Sequence, residues 1–484
     1  MTTDTGTPVG IVIGDERITA SSAGIHQHVY PATGRPNAAV VLAGPDEVDA
    51  AVRAGAKAQR EWMALTVDAR RDRLIELADV VHDHLDELAR LNVDDYAVPI
   101  SFAGTAVLLE RFLRHFAGYV DKTHGASTPV NGSFDINLVD RQPYGVVGVI
   151  APWNGALAVA GSCVAPALAA GNAVVFKPSE LAPLAALRFG ELCLAAGLPP
   201  GLVTVLPAAR AGSEALVRHP GIGKIHFTGG GVTARSVIAA AASNLTPVVA
   251  ELGGKSANVI FPDADLEAAA MLSAHQGPLM QSGQSCACAS RILVHDSVYD
   301  DFVARFLAVI AGARIGDPLD PAVTFGPVIS EHAASRVQQV IDHAVRTGAG
   351  ELLTGGRRMG GALAAGFYIE PTVFGGVDNG SALAQQETFG PVVSVLRFHS
   401  DDEAIALANG TPYGLNAFVH TRDLNRAHSA ARRLDAGSVW INTFSDIAPQ
   451  GPYGGFKQSG FGRTGGLEGL QEFLQIKNIR IRMS

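Results

Sequence analysis

From about Tyr144 onward, short apolar runs alternate with Ala-rich stretches, and that alternation limits the fold more than any other feature of the chain. The apolar runs are Val146–Ile150, Ala173–Phe176, Val203–Leu206, Lys224–Phe227 and Pro247–Glu251. Between them, Leu157–Ala169, Pro183–Ala196, Ser213–Val217 and Val232–Ala242 have helix-forming composition. Strand, helix, strand in repetition predicts a parallel sheet with helices on both faces and ligands at the carboxyl ends of its strands. A second alternation begins after Gly253–Gly254, with strands expected at Asn258–Phe261, Arg291–Val294, Val392–Phe398, Ala417–His420 and Val439–Asn442. The chain is therefore read as α/β, with two such domains in succession.

The N-terminal region reads as largely helical. Asp46–Trp62 forms one helix behind the start signals Pro45 and Asp46, and Leu74, Leu77, Ala78, Val81, Leu85 and Leu88 share an apolar face in another. Two segments behave differently. Phe134, Ile136 and Leu138 alternate with Asp135 and Asn137 behind an Asn131–Gly132 turn, a hairpin signal. At the C-terminus Ile479, Ile481 and Met483 alternate with Arg480 and Arg482. Both are expected as antiparallel strands projecting from the domains, either a surface ribbon or an edge on which subunits pair.

Composition narrows the class. A chain of 484 residues suggests about three domains or two large ones. With 47% apolar and 17% charged residues, it has ample core material and is not disordered. A net charge of −9 offers no attraction for nucleic acid or an anionic membrane. The uncharged segment from Gly145 to Phe176 is broken by Pro152, Asn154, Pro166 and Asn172, so it reads as buried core rather than a membrane span. Met1–Gly10 lacks a basic region leading into an apolar one, and no signal peptide is expected. Four cysteines point to a reducing, cytoplasmic setting. The 54 glycines follow no three-residue period, which excludes collagen and leaves a surplus suited to backbone lying against ligands.

Several segments carry chemistry. Cys286 lies on the small-residue turn Gly283-Gln284-Ser285-Cys286-Ala287-Cys288, where a substrate can approach closely; taken alone, a buried inert thiol explains it as well. Glu251 ends an apolar strand and precedes Leu252-Gly253-Gly254-Lys255, which makes it a candidate base or an ordinary turn glutamate. Asn154, in Ala151-Pro152-Trp153-Asn154 after a core strand, offers an uncharged N–H donor for a developing oxyanion. Phe227-Thr228-Gly229-Gly230-Gly231-Val232 places glycines between a strand and a helix, where backbone amides can meet a pyrophosphate, although the GxGxxG spacing is lacking. Lys177 and Glu180 can bracket two ribose hydroxyls or form a surface ion pair. His26, His28, His82 and His84 have no further ligand cluster and are read as solvated histidines, with no metal expected.

Taken together and in order, these segments resemble the NAD(P)-dependent aldehyde dehydrogenase superfamily, in its hydrolytic, non-acylating branch. The resemblance runs from Tyr30-Pro31-Ala32-Thr33-Gly34 through the segments above to Glu387-Thr388-Phe389-Gly390-Pro391, Asn409 to Leu415 and Tyr453-Gly454-Gly455-Phe456-Lys457. It implies a Rossmann-like NAD-binding domain over 1–122 and 143–252, and a catalytic α/β domain over 253–466. It also implies antiparallel oligomerisation strands over 123–142 and 467–484, and a homodimer or homotetramer. Cys286 is implied as the nucleophile, Asn154 as the oxyanion donor and Glu251 as the base that activates water. Lys177 and Glu180 are implied at the adenine ribose, Glu387 at the nicotinamide ribose and Phe389 beside its ring, with Ile150, Trp153, Ser179, Gly212, Phe227, Gly229, Gly230 and Leu252 also at the cofactor. Glu180 favours NAD, while Lys177 leaves room for NADP. Gly155, Val159, Ser162, Ser285, Ala287, Ile447 and Tyr453 are implied to line the substrate tunnel. They are small or apolar, so the expected substrates are bulky uncharged aldehydes, aromatic or medium-chain.

The chain departs from the family pattern at two places, and Cys288 raises a separate question. Where the family has Gly-Ser-Thr-x-x-Gly, Gly230 removes a hydroxyl and Ala234 replaces the last glycine, which implies phosphate contact through backbone alone. Asp95-Tyr96-Ala97-Val98-Pro99 lacks the usual Gly-Lys before proline. Cys288 stands two residues from the nucleophile, either as a partner in a strained redox disulfide or, on the plainer reading, as a small apolar side chain. Two competing readings remain: a cofactor-free thiol esterase built on Cys286, Glu251 and Asn154, and a catalytically retired NAD-binding scaffold.

Overall fold

The computed structural model describes residues 8–130 and 135–482. It holds an α/β fold built on two sheets whose strands are mostly parallel. The first has six strands in the spatial order Gly460–Phe461, Val248–Glu251, Lys224–Thr228, Val146–Ile150, Ala173–Lys177 and Val203–Val205. All are parallel except Gly460–Phe461, which returns from late in the chain to pair antiparallel with Val248–Glu251. The strand order reverses beside Val146–Ile150, and such a reversal opens a crevice at the carboxyl ends.

The second sheet has seven strands, ordered Glu351–Thr354, Thr372–Gly375, Val392–Phe398, Arg291–His295, Ala257–Ile260, Asn416–His420 and Ser438–Ile441. Only Glu351–Thr354 is antiparallel. Every residue of Val146–Ile150, Ala173–Lys177 and Ala257–Ile260 is buried, which is why these strands read as continuous apolar runs rather than alternating ones.

The helices expected beside the first sheet are present as Leu184–Ala195, Arg210–Arg218 and Gly231–Ala241. The Leu157–Ala169 stretch forms two short α-helices joined by a wider π-helical turn at Ala160–Val164. Pro45–Ala64 packs across this sheet, with Trp62 fully buried and its indole N–H on the Leu168 carbonyl at 3.0 Å.

Two expectations for the N-terminal region need correction. It begins with two antiparallel hairpins, Ile11–Ile13 with Glu16–Ile18 and Ile25–Tyr30 with Arg35–Val41. The single helix expected through Leu88 is two helices, Val67–Asp83 and Leu85–Tyr96, separated at His84, whose backbone leaves helical geometry. The apolar spacing continues through the break because both helices pack on the same core, so periodicity alone could not reveal it.

Leu474–Arg482 pairs antiparallel with Asp135–Pro143 over their whole lengths, and Ala126–Ser127 adds a third strand. Ile136 faces Ile481 and Leu138 faces Ile479 across this ribbon. The Asn131–Gly132 turn, Phe134 and Met483 lie outside the described residues. Among the described residues no helix is long and apolar enough to cross a membrane.

Candidate active site

Glu251 closes the last parallel strand of the first sheet, and the chain passes directly through Leu252–Lys255 into Ala257–Ile260 of the second. The carboxyl edge of one sheet therefore meets the amino edge of the other. Onto this seam the first sheet delivers Lys177 and Glu251 at its strand ends, and Asn154 and Gly229 just beyond them. The second sheet delivers Cys286 and Glu387 ahead of Arg291–His295 and Val392–Phe398, and Asn416 at the start of its own strand.

Cys286 is partly exposed, on a turn wound in the left-handed region at three successive residues: Gln281 at φ 48°, Ser282 at φ 56° and Gly283 at φ 70°. Such backbone is costly and persists only where the surroundings hold it. Buried Gln284 supplies that hold: its amide donates to Gln281 O at 3.0 Å and Pro327 O at 3.2 Å, and its Oε1 accepts from Ile329 N at 2.9 Å. Ser282 Oγ adds a bond to Gly326 O at 2.6 Å. Asn154 Nδ2 donates to Gln284 O at 2.8 Å, which fixes the amide against the cysteine turn and leaves its second hydrogen to give. Burial, followed by the Glu387 and Glu251 charges, pushes the Cys286 thiol up to about 11, while a contact with Tyr453 Oη at 3.9 Å acts the other way.

Glu251 is 5% exposed, and neither carboxylate oxygen has a hydrogen-bond partner. Burial raises its proton affinity well above the ordinary carboxylate range; the Arg463 charge works against the rise and that of Glu472 adds to it. The reading of Glu251 as a solvated turn glutamate therefore fails. A Cβ at Gly454 would lie 2.5 Å from Glu251 Oε1, so glycine there leaves the carboxylate its space.

Lys177 is 8% exposed, with Nζ 3.9 Å from Glu180 Oε2, so it is no surface ion pair. Burial lowers its proton affinity and the Glu180 charge opposes the shift. Ser179 Oγ accepts from Leu181 N at 3.2 Å and reaches Glu180 Oε2 at 3.5 Å. Gly230 stands at the start of Gly231–Ala241, and that helix end has no side-chain cap. Gly229 N bonds Glu251 O at 3.0 Å, and a Cβ on Gly229 would come 2.6 Å from the buried Phe227 ring. Ile150 is buried at its strand end, Leu252 N bonds Ser459 O at 3.0 Å, and Gly212 packs its bare Cα against the Ala43 carbonyl.

Glu387 Oε1 accepts from Gly254 N at 3.1 Å, and its carboxylate fills the space a side chain on Gly253 would need. Burial raises its proton affinity, with the Gly254 bond and the Lys255 and Arg336 charges opposing. Phe389 sits at φ 48°, its ring edge-on to Trp153 at 5.7 Å, and Arg336 holds the turn by donating to the Thr388 and Phe389 carbonyls.

Of the expected tunnel residues, Ser285 and Ala287 flank Cys286, and Tyr453 touches it. Gly155, Val159 and Ser162 lie at the start of and along the helical segment that follows the Asn154 turn, and Ile447 packs on the core of the first sheet.

One reading of the polar residues changes. His28 is not solvated: it is 1% exposed, and its Nε2 lies 2.9 Å from both Asp95 O and Leu181 O. Asp95 accepts from Leu184 N at 2.8 Å and Ala185 N at 2.9 Å, so the segment that departs from the family pattern caps a helix. All four cysteines are free, and the buried Cys288 thiol is spent on the Gly277 carbonyl at 3.5 Å and that of Met280 at 3.8 Å. Among the described residues no group of three or more His, Cys, Asp or Glu could hold a metal.

Gln284, Arg336, Asn416 and Lys255 escaped the reading of the sequence. Gln284, Arg336 and Asn416 act through partners distant in the chain, Lys255 is buried with no hydrogen-bond partner for its ammonium, and the only local signal was the Gly283 beside Gln284.

The family model described as "Aldehyde dehydrogenase family" matches residues 18–479. An aldehyde dehydrogenase of Enchytraeus buchholzi is 37% identical over 479 residues, covering 98% of this chain and 95% of its own. The crystal structure of PnpE from Pseudomonas sp. WBC-3 superposes at a TM-score of 0.95 with 38% identity, covering 98% of both chains. A betaine aldehyde dehydrogenase from Staphylococcus aureus, solved in complex with NAD+, also reaches 0.95, with 32% identity over 99% of this chain and 95% of that one. On sequence and on fold alike, this chain belongs to the aldehyde dehydrogenase family.

Proposed function

We propose that the protein oxidises aldehydes to carboxylic acids with NAD, through a covalent adduct on Cys286. The observation that carries this reading is the convergence of a cysteine, a buried unpartnered carboxylate and an amide donor on one seam between two sheets. The S. aureus relative solved with NAD+ supports the choice of cofactor. The residues at the seam fit a dinucleotide: the uncapped start of Gly231–Ala241 leaves amide hydrogens for a diphosphate, and buried Lys177 stands beside Glu180. Lys177, Ser179, Glu180 and the Gly229–Gly230 backbone, with Ile150, Trp153, Gly212, Phe227 and Leu252 around them, would hold the adenosine half. Glu387 and Phe389 would hold the nicotinamide half. When bound, the nicotinamide ring supplies the acceptor for one hydride.

The chain's own residues do the rest. The Cys286 thiolate adds to the aldehyde carbon, and the oxygen charge falls to the free hydrogen of the Asn154 amide and the Cys286 backbone N–H. After oxidation Cys286 carries the acyl group as a thioester. Glu251 takes a proton from water, the hydroxide attacks the thioester carbon, the acid leaves as the Cys286 thiolate is expelled, and Glu251 then releases its proton to solvent.

The segments 1–122 and 143–252 are assigned to cofactor binding, 253–466 to catalysis, and 123–142 with 467–484 to association. Exposed Ile136, Leu138 and Ile481 on the ribbon support a homodimer or homotetramer, and four free thiols support a cytoplasmic setting. The small and apolar character of Gly155, Val159, Ser162, Ser285, Ala287 and Ile447 supports bulky uncharged aldehydes as substrates.

A panel of benzaldehyde, octanal and succinate semialdehyde, scored for NADH and for NADPH, tests these assignments. NADH in step with acid, with benzaldehyde or octanal ahead, is the expected result. Acid release from thioesters without any NADH formation would support the esterase, and NAD binding without turnover the retired scaffold. Succinate semialdehyde as the best substrate would overturn the pocket assignment.

A further inference from the structure

Tyr453 brings a hydroxyl to the nucleophile, and a second side chain sets which way its proton points. The Tyr453 backbone is bridged to Thr464 in both directions, N to O at 2.7 Å and O to N at 2.8 Å. Its ring lies tilted against Trp440 with centroids 6.4 Å apart. Held in this way, the phenol oxygen is 3.9 Å from Cys286 Sγ and 3.1 Å from Asn416 Nδ2. An amide nitrogen has hydrogens to give and no lone pair to offer, so Asn416 donates and the phenol oxygen accepts. Tyr453 then keeps its own proton for the sulfur.

The opposite end of Asn416 agrees with this orientation. Asn416 is 3% exposed and shares a small cavity with Lys255 and Ser256. Asn416 Oδ1, Lys255 Nζ and Ser256 Oγ are all buried without a protein partner. Beside a lysine, the carbonyl end of the amide is the favourable one to present.

The geometry points to Tyr453 as the hydrogen-bond donor that holds the Cys286 sulfur and favours its thiolate, with Asn416 as the positioning residue that directs the phenol proton. This rests on the reading of Cys286 as the nucleophile and adds to it a source of thiolate stabilisation. The ionisable groups facing the sulfur are Glu387, Glu251, Cys288 and Tyr453. Both carboxylates disfavour a thiolate, whereas the Tyr453 hydroxyl and the Cys286 backbone amide favour it.

The test is the pH dependence of Cys286 alkylation by iodoacetamide, followed by peptide mass spectrometry on the folded protein without aldehyde or NAD. Tyr453→Phe is expected to move the midpoint up by about half to one pH unit, the scale of one modest hydrogen bond to a thiolate. Asn416→Ala should move it up as well, and should add nothing in the Tyr453→Phe background, because Asn416 acts through the phenol. A merely structural role would leave the midpoint in place while lowering Tm. Midpoints that coincide with wild type, or that fall, would overturn the proposal, and so would additive shifts in the double variant. The readout needs no turnover: NADH formation with unshifted midpoints sinks this inference alone, and shifted midpoints without NADH formation uphold it while sinking the dehydrogenase reading.

Discussion

At Glu251 two carboxylate oxygens are buried without hydrogen-bond partners, and that isolation suits a base that must take a proton from water. Because burial raises its folded proton affinity, activity should rise with pH on an acid limb above the ordinary carboxylate value of 4.5. Glu251→Gln should keep a first burst of NADH while steady turnover falls by about 10²–10⁴-fold, measured by stopped flow. The stability effect has the opposite sense. A raised folded pKa means the folded state binds the proton more tightly, so the stability Glu251 contributes is present below about 4.5 and is lost as pH rises through the folded value. Glu251→Gln is therefore expected to have a higher Tm than wild type at pH 8, with the gap closing near pH 4.5, by scanning calorimetry. The sequence marked Glu251 as a candidate by its place at a strand end. Its burial depends on Gly454 and Gly460–Phe461, which return from far along the chain.

Two elements carry predictions of opposite sense. The helix Gly231–Ala241 begins at Gly230, where the backbone is ordinary (φ −77°, ψ 145°) and a Cβ would meet no atom within 4 Å. Gly230→Ser should fit without strain, cap the helix for a few tenths of a kcal/mol, and tighten NAD binding in a fluorescence titration; weaker binding would contradict the phosphate role. The cysteine turn has no such room. Gly283 is at φ 70°, and a Cβ there would run into the Gly390 backbone. Gly283→Ala should cost about 1–3 kcal/mol, seen as a lower Tm, and should lower kcat more than it raises KM. Gly230 and Gly283 look alike in the sequence, but the structure leaves one open and holds the other against backbone. Strand ends and helix starts were legible because apolar runs and Ala-rich stretches have distinct periods. The break at His84 was not, since both helices pack on one core.

For the whole molecule, the ribbon of Asp135–Pro143 and Leu474–Arg482 leaves Ile136, Leu138 and Ile481 from 37% to 43% exposed. Leu138 and Ile481 share one face by register. Leu138→Asp with Ile481→Asp should leave the two-sheet fold intact and reduce the mass in light scattering to that of a monomer, 50.3 kDa. An unchanged larger mass would remove association from the ribbon's role.

The sequence by itself determined the α/β class, the two successive alternations and the identities of Cys286, Glu251 and Asn154 as candidates. Strand and helix periods, and short motifs at strand ends, are local properties that a linear pattern carries. Only the tertiary structure decided that the carboxyl edge of one sheet meets the amino edge of the other, bringing these three residues to one seam. It alone placed Tyr453 at the sulfur with Asn416 behind its hydroxyl, and Gln284 and Arg336 as supports for strained turns. Those contacts join segments far apart in the chain, and their energies come from burial and direction, which no spacing encodes.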